Sequence, residues 1–233
     1  EIEPPPTSAG QDVNTAIPNN TVIASVPAIA TQTTTPTESL SIGNLIVNEN
    51  FDSGKSDGFS SLSGNWGVID DGTGKNMVLE TKNGTADKWS HIEFGPSDFS
   101  NGTIEYNVRL INYNTSSQSG GKTSLQWRAK QWGDASYALD IQPYFGHFTL
   151  DYQGAYPSGE WVSLGEVNLF PKLGVWYLIK LEIQGDKMTV YIDNDLKISA
   201  NDSRLTTPGH LAFNVDSEAQ VQFDNVKVWE VGK

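Results

Sequence analysis

The 233-residue chain contains no cysteine. That excludes a disulfide framework, a thiol nucleophile and a thiolate metal centre. Histidine is nearly as scarce, with three residues, which argues against a His-rich zinc site. Basic residues are also few: 15 Lys and Arg stand against 28 Asp and Glu, a formal charge of −13. Nucleic acid is not expected as a partner, because phosphate binding needs clustered Lys and Arg. No apolar run is long enough to span a membrane, and no amphipathic helical period of useful length occurs.

Aromatic residues are plentiful: 7 Trp, 8 Tyr and 9 Phe are enough for one substantial core. They are unevenly placed. Residues 1–42 contain none and are rich in Thr, Pro, Ser, Asn and Ala, as in "EPPPTSAGQ" and "ATQTTTPTES". This composition reads as an extended tail or stalk. One piece resists that reading. "NTVIASVPAIAT" carries Val22, Ile23, Val26 and Ile29 with no charge, and Pro27 limits it to a strand edge or end. The tail is therefore read either as a linker or as an assembly strand. In the second case, donation to an open sheet edge of another copy would build a filament or surface assembly.

Residues 43–233 read as all-β. "TIEYNVRLI" puts Ile104, Tyr106, Val108 and Leu110 on one face. "SLQWRAK" puts Leu125 and Trp127 on one face, with Gln126 and Arg128 on the other. "SYALDIQ", "HFTLDY", "VWYLIKLEI" and "MTVYID" alternate in the same way, and turn signals such as "DNDL" and "TPGH" separate them. Many strands joined by short turns predict two packed antiparallel sheets. Trp66, Trp127, Trp176 and Trp229 are assigned to the core or to sheet edges.

One strand breaks its own rule. In "AQVQFDNVKVWE", Val221 and Phe223 lie on odd positions but Val226 and Val228 on even ones. A regular strand cannot send both pairs into one core, so a bulge is expected at Asp224-Asn225.

The ordered segments "NENFDSG", "WYLIKLEIQGDKMTVYIDNDLKI", "TPGHLAFNV" and "VQFDNVKVWE" resemble the concanavalin A-like lectin/glucanase superfamily. The likeness is strongest to its laminin-G-like and bacterial carbohydrate-associated jelly-roll domains, over residues 44–231. The resemblance implies a jelly-roll sandwich. It also implies a structural Ca2+ where the first and last strands meet, held by Asp52, Asp224 and backbone carbonyls. The alternative is a plain bulge whose Asp caps a backbone N–H.

The glucanases of this superfamily carry E-x-D-x-x-E on one strand, which places acid and nucleophile for retaining hydrolysis. The chain has no such motif, and no enzyme activity is expected. Asp140 with Asp151 or Glu182 is a carboxylate pair that distant strands would have to bring together.

Sugar recognition needs aromatic platforms and planar polar side chains. Candidates are Gln126, Arg128, Trp132, Asp140, Tyr144, Tyr156 and Trp161. Gln126, Arg128, Asp140 and Gln142 share the non-core parity and would line one concave face. Trp132, Tyr156 and Trp161 fall in apparent loops, where they either stand exposed or fold back over sheet edges. The expected partner is a polysaccharide or glycan, and the alternative is other copies of the chain. The N-x-S/T triplets at Asn19, Asn83, Asn101, Asn114 and Asn201, and a start at Glu1 rather than Met, favour an exported, extracellular or cell-surface protein.

Overall fold

The structure is a computed structural model that describes residues 43–82, 89–116, 121–216 and 218–231. The expected assembly residues Val22, Ile23, Val26 and Ile29, and the rest of segment 1–42, lie outside the described residues.

The described residues form fifteen strands and no helix. The first sheet has eight strands. Its order is β13 (Asp195–Asn201), β12 (Lys187–Ile192), β11 (Trp176–Gln184), β6 (Gly102–Tyr113), β15 (Ala219–Glu230), β4 (Met77–Lys82) and β3 (Asn65–Asp70). A further strand, β1 (Asn44–Glu49), pairs with β15. The second sheet has seven strands. Its order is β10 (Trp161–Asn168), β9 (His147–Gln153), β8 (Ser136–Gln142), β7 (Thr123–Ala129), β14 (Gly209–Val215), β5 (Ser90–Phe99) and β2 (Phe59–Ser63). All pairings are antiparallel. The predicted two-sheet jelly roll is the observed architecture.

The alternation read from the sequence is what packs the sandwich. Ile104, Tyr106, Val108 and Leu110 of β6 are buried in the same core as Leu125 and Trp127 of β7. Phe213 of β14 and Phe223 of β15 stack with centroids 4.1 Å apart, joining one sheet to the other. Each such side chain contributes about 1.5–3 kcal/mol by leaving water.

The break in β15 is a bulge. Val221, Phe223, Val226 and Val228 are all buried. The register against β6 slips between Asp224 and Lys227, and Asn225 takes a left-handed φ of 51°. The slip coincides with a change of neighbour. Val221–Phe223 pair with β4, whereas Val226–Glu230 pair with β1. The extra residue resets the side-chain phase, so both halves face the core.

A second bulge corrects the reading of Arg128. The register of β7 against β14 slips between His210 and Leu211, and Arg128 has φ 62°. Its side chain therefore leaves the polar face that parity assigned to it and becomes buried. The guanidinium donates to the carbonyls of Leu205 (2.6 Å), Gly185 (2.8 Å) and Ser100 (3.1 Å). Arg128 thus ties together three connecting segments of the two sheets. Burial lowers its pKa.

Candidate functional site

The outer face of the second sheet is polar because its strands alternate. Strand register places His91, Asn214, Ser124, Asp140, Thr149 and Glu166 in one row across β5, β14, β7, β8, β9 and β10. Gln126, Ala138, Asp151 and Ser163 form the neighbouring row. Over this face lie a groove of about 880 Å³ and an adjoining cavity of about 460 Å³.

The groove has polar side chains on its floor and rings on its walls. Ser124, Gln126, Gln153 and Asn214 line it together with Trp89, Trp132, Tyr156 and Trp161. Tyr156 is 85% exposed, Trp161 55% and Trp132 48%. None of the three folds back into the core. Trp161 is not in a loop, as its surroundings had suggested, but opens β10. Trp132 is held on its inner side by His91, with centroids 4.2 Å apart and an edge-on angle of 70°.

Tyr144 and Trp161 line the smaller cavity with Phe145, His147, Asp151 and Glu166. His147 Nδ1 lies 3.1 Å from Glu166 Oε1. Trp89, Lys122 and Trp161 belong to both spaces and form the bar between them. The Lys122 ammonium sits 4.1 Å from the Trp161 ring centroid and 5.7 Å from that of Trp89.

Asp140 is fully buried beneath this bar. It accepts from Ser124 Oγ (2.5 Å) and Gln153 Nε2 (3.2 Å), and Lys122 Nζ lies 2.5 Å from its Oδ2. Gln126 Nε2 donates to Gln153 Oε1 at 3.0 Å, which continues the network along the floor. Asp151 accepts from Thr149 Oγ1 at 2.7 Å. Its pKa is pushed up to about 6, first by burial and then by the neighbouring Asp140. The fold thus brings together the carboxylate pair Asp140 and Asp151, and not Glu182, which lies on β11 of the other sheet.

Of the sequence candidates, Gln126, Trp132, Tyr156 and Trp161 converge on the groove, and Tyr144 on the cavity. Asp140 supports the floor from below. Arg128 takes no part in either lining. Trp89, Lys122, Asp151 and Asn214 were not singled out for this face. Parity would have given Lys122, since it shares the phase of Ser124 and Gln126. Parity would have given Asn214 as well, since it alternates with Leu211, Phe213 and Val215, whereas nothing in the sequence marks Trp89.

Asp52 and Asp224 come to one corner. Asp224 Oδ2 accepts from Asn76 Nδ2 (3.1 Å), and Asp52 Oδ1 accepts from the next backbone N–H, that of Met77 (3.4 Å). Asp224 Oδ1 accepts from the N–H of Asn225 at 2.6 Å, as a bulge cap would. Burial raises the Asp224 pKa, and the charges of Asp52 and Asp71 act in the same sense. Among the described residues, no three His, Asp or Glu side chains gather to hold a metal by themselves. A cation here would draw on the oxygens of the two carboxylates, in place of the Asn76 Nδ2 and backbone N–H groups that now face them. That is a donor set calcium accepts.

No curated protein matches the chain. Many solved structures share its fold, among them the following three. The carbohydrate-binding module CBM66 from Bacillus subtilis is 21% identical, with TM-score 0.59 over 74% of this chain and 96% of that one. Domain 4 of AbnA, a GH43 extracellular arabinanase from Geobacillus stearothermophilus solved with arabinotriose, is 16% identical, with TM-score 0.58 over 82% and 94%. A β-glucanase from Bacillus licheniformis is 15% identical, with TM-score 0.56 over 82% and 99%. At these identities the likeness speaks for the fold. Residues 47–229 match the 3-keto-alpha-glucoside-1,2-lyase-like domain. The chain therefore belongs to that family, whose concanavalin A-like jelly roll it builds.

Proposed function

We propose that the chain is a non-catalytic, extracellular module that binds a neutral polysaccharide in the groove of its second sheet. The observation that carries this reading is the set of exposed rings, Trp132, Tyr156 and Trp161, standing around a floor of amides and hydroxyls. Exposed rings are costly in water and stack well on the apolar face of a pyranose. The charge balance favours an uncharged ligand. A uronic acid in the groove would meet Asp134, and the ammonium of Lys122 is already paired to the buried Asp140. That relatives by fold are described as a carbohydrate-binding module and as part of an extracellular arabinanase supports the same reading. The test is retention of the full chain on immobilised glucans, arabinan, fructan and polygalacturonate. Binding to a neutral polymer is expected. Retention by none of them, or by polygalacturonate alone, would overturn it.

A second reading has its own support. The family is named for a lyase, and Asp151, in the wall of the cavity, holds a proton to about pH 6. A carboxyl whose pKa is raised towards neutrality in a cavity wall suits acid–base chemistry on a carbonyl sugar. Formation of free reducing sugar from 3-keto-glucosides, lost in Asp151→Asn, would favour this reading over simple binding.

We also propose Ca2+ at the Asp52–Asp224 corner, in a structural role remote from the groove residues.

A further inference from the structure

Asn214 is the least explained residue of the groove. It is 1% exposed and lines the floor, yet its Nδ2 has no protein partner. Its other side-chain atom, Oδ1, is bonded to His91 Nδ1. An amide oxygen only accepts, so the imidazole carries its proton on Nδ1. His91 is itself held by burial and by the edge of Trp132, while its Nε2, 3.6 Å from Glu93, makes no hydrogen bond. Glu93 is held in turn by His210, 3.3 Å away. The His91–Asn214 bond therefore fixes the rotation of one amide and leaves its two N–H donors buried on the groove floor without a protein acceptor.

Burying an amide without a partner costs stability, and such groups are rare in folded proteins. Asn214 carries that cost at the foot of an exposed tryptophan. We propose that Asn214 Nδ2 is a ligand donor that bonds a ring or hydroxyl oxygen of a neutral sugar stacked on Trp132, and that His91 is the residue that positions it. This rests on the carbohydrate-binding reading and adds a named point of recognition to it. The specificity follows from the chemistry. A fixed pair of donors accepts a sugar oxygen and rejects an analogue that presents a second donor or an apolar group there, because the amide would stay unpaired.

The experiment is calorimetric titration of the full chain with arabinotriose, laminaritetraose and cellotetraose. Asn214→Asp is isosteric: it keeps the acceptor for His91 and removes both donors. Expected is at least a tenfold loss of affinity for whichever oligosaccharide binds; because the new carboxylate is buried, the melting temperature is compared in Asn214→Ser, where it should change little. Asn214→Ser removes the amide without adding charge and should show the same loss. His91→Gln keeps a donor for Oδ1 and should bind within a few-fold of the unaltered chain, whereas His91→Leu should lose affinity as Asn214→Asp does. If the unaltered chain binds and both Asn214 variants bind within twofold of it, the donor role is wrong while the groove stands. If both variants melt far below the unaltered chain, Asn214 is a structural residue and the proposal falls. Should the unaltered chain bind none of the three, the same variants are compared by retention on the neutral polymer that holds the unaltered chain; if no neutral polymer holds it, the carbohydrate reading fails and this inference with it.

Discussion

Lys122 Nζ stands 2.5 Å from Oδ2 of the fully buried Asp140, with the face of Trp161 4.1 Å away on the groove side. The pair is mostly desolvated, since the lysine side chain is only 14% exposed. Breaking such a pair from one side leaves an uncompensated buried charge, at a cost of about 3–5 kcal/mol. Lys122→Met should therefore lower stability by about that amount in denaturant unfolding. Adding Asp140→Asn to Lys122→Met should recover much of the loss. A double variant as unstable as the single one would show that Lys122 acts through packing on Trp161 and Trp89 rather than through its charge.

Asp151 makes stability depend on pH in a direction opposite to that of most carboxylates. Its folded pKa, about 6, lies above its ordinary value of 3.8. Between those values the folded state holds more protons than the unfolded state, so stability falls as pH rises. The contribution is fully present below the ordinary value and lost as pH climbs through 6. Asp151→Asn should raise the melting temperature at pH 7.5 and change it little at pH 4, measured by scanning calorimetry. An equal shift at both pH values would separate the effect from ionisation.

The tryptophans divide by location. Trp127 is fully buried and Trp161 is half exposed. Trp127→Ala should cost about 3–5 kcal/mol of unfolding free energy. Trp161→Ala and Trp132→Ala should each cost about 1 kcal/mol or less, while weakening retention on the polysaccharide. A large stability loss in Trp132→Ala would mean that its contact with His91 is structural rather than a platform for ligand.

Calcium at the Asp52–Asp224 corner would stabilise by mass action, since the unfolded chain cannot hold the site together. Excess Ca2+ should raise the melting temperature, and chelator should lower it. Asp224→Ala should melt lower and no longer respond to either. A melt indifferent to chelator in the unaltered chain would leave Asp224 as the cap of Asn225 and partner of Asn76 only.

The sequence by itself determined the fold class. Period-two alternation in segments such as Ile104–Leu110 states which side of each strand is buried, and short turns leave antiparallel pairing as the economical solution. The slip at Asp224-Asn225 was legible for the same reason, because a phase error between Phe223 and Val226 has few remedies other than an extra residue. The site was legible only in part. Parity put Gln126 on the polar face correctly but misplaced Arg128, because the bulge opposite Leu211 depends on how β14 meets β7. Only the tertiary structure decided that Asn214, Asp151 and Trp89, each ordinary in its own segment, meet around Lys122 and Gln126. Strand order in a jelly roll is non-sequential, so β14 comes to lie between β5 and β7. Alternation along one strand carries no information about which strand will be its neighbour, and a binding face is made of neighbours.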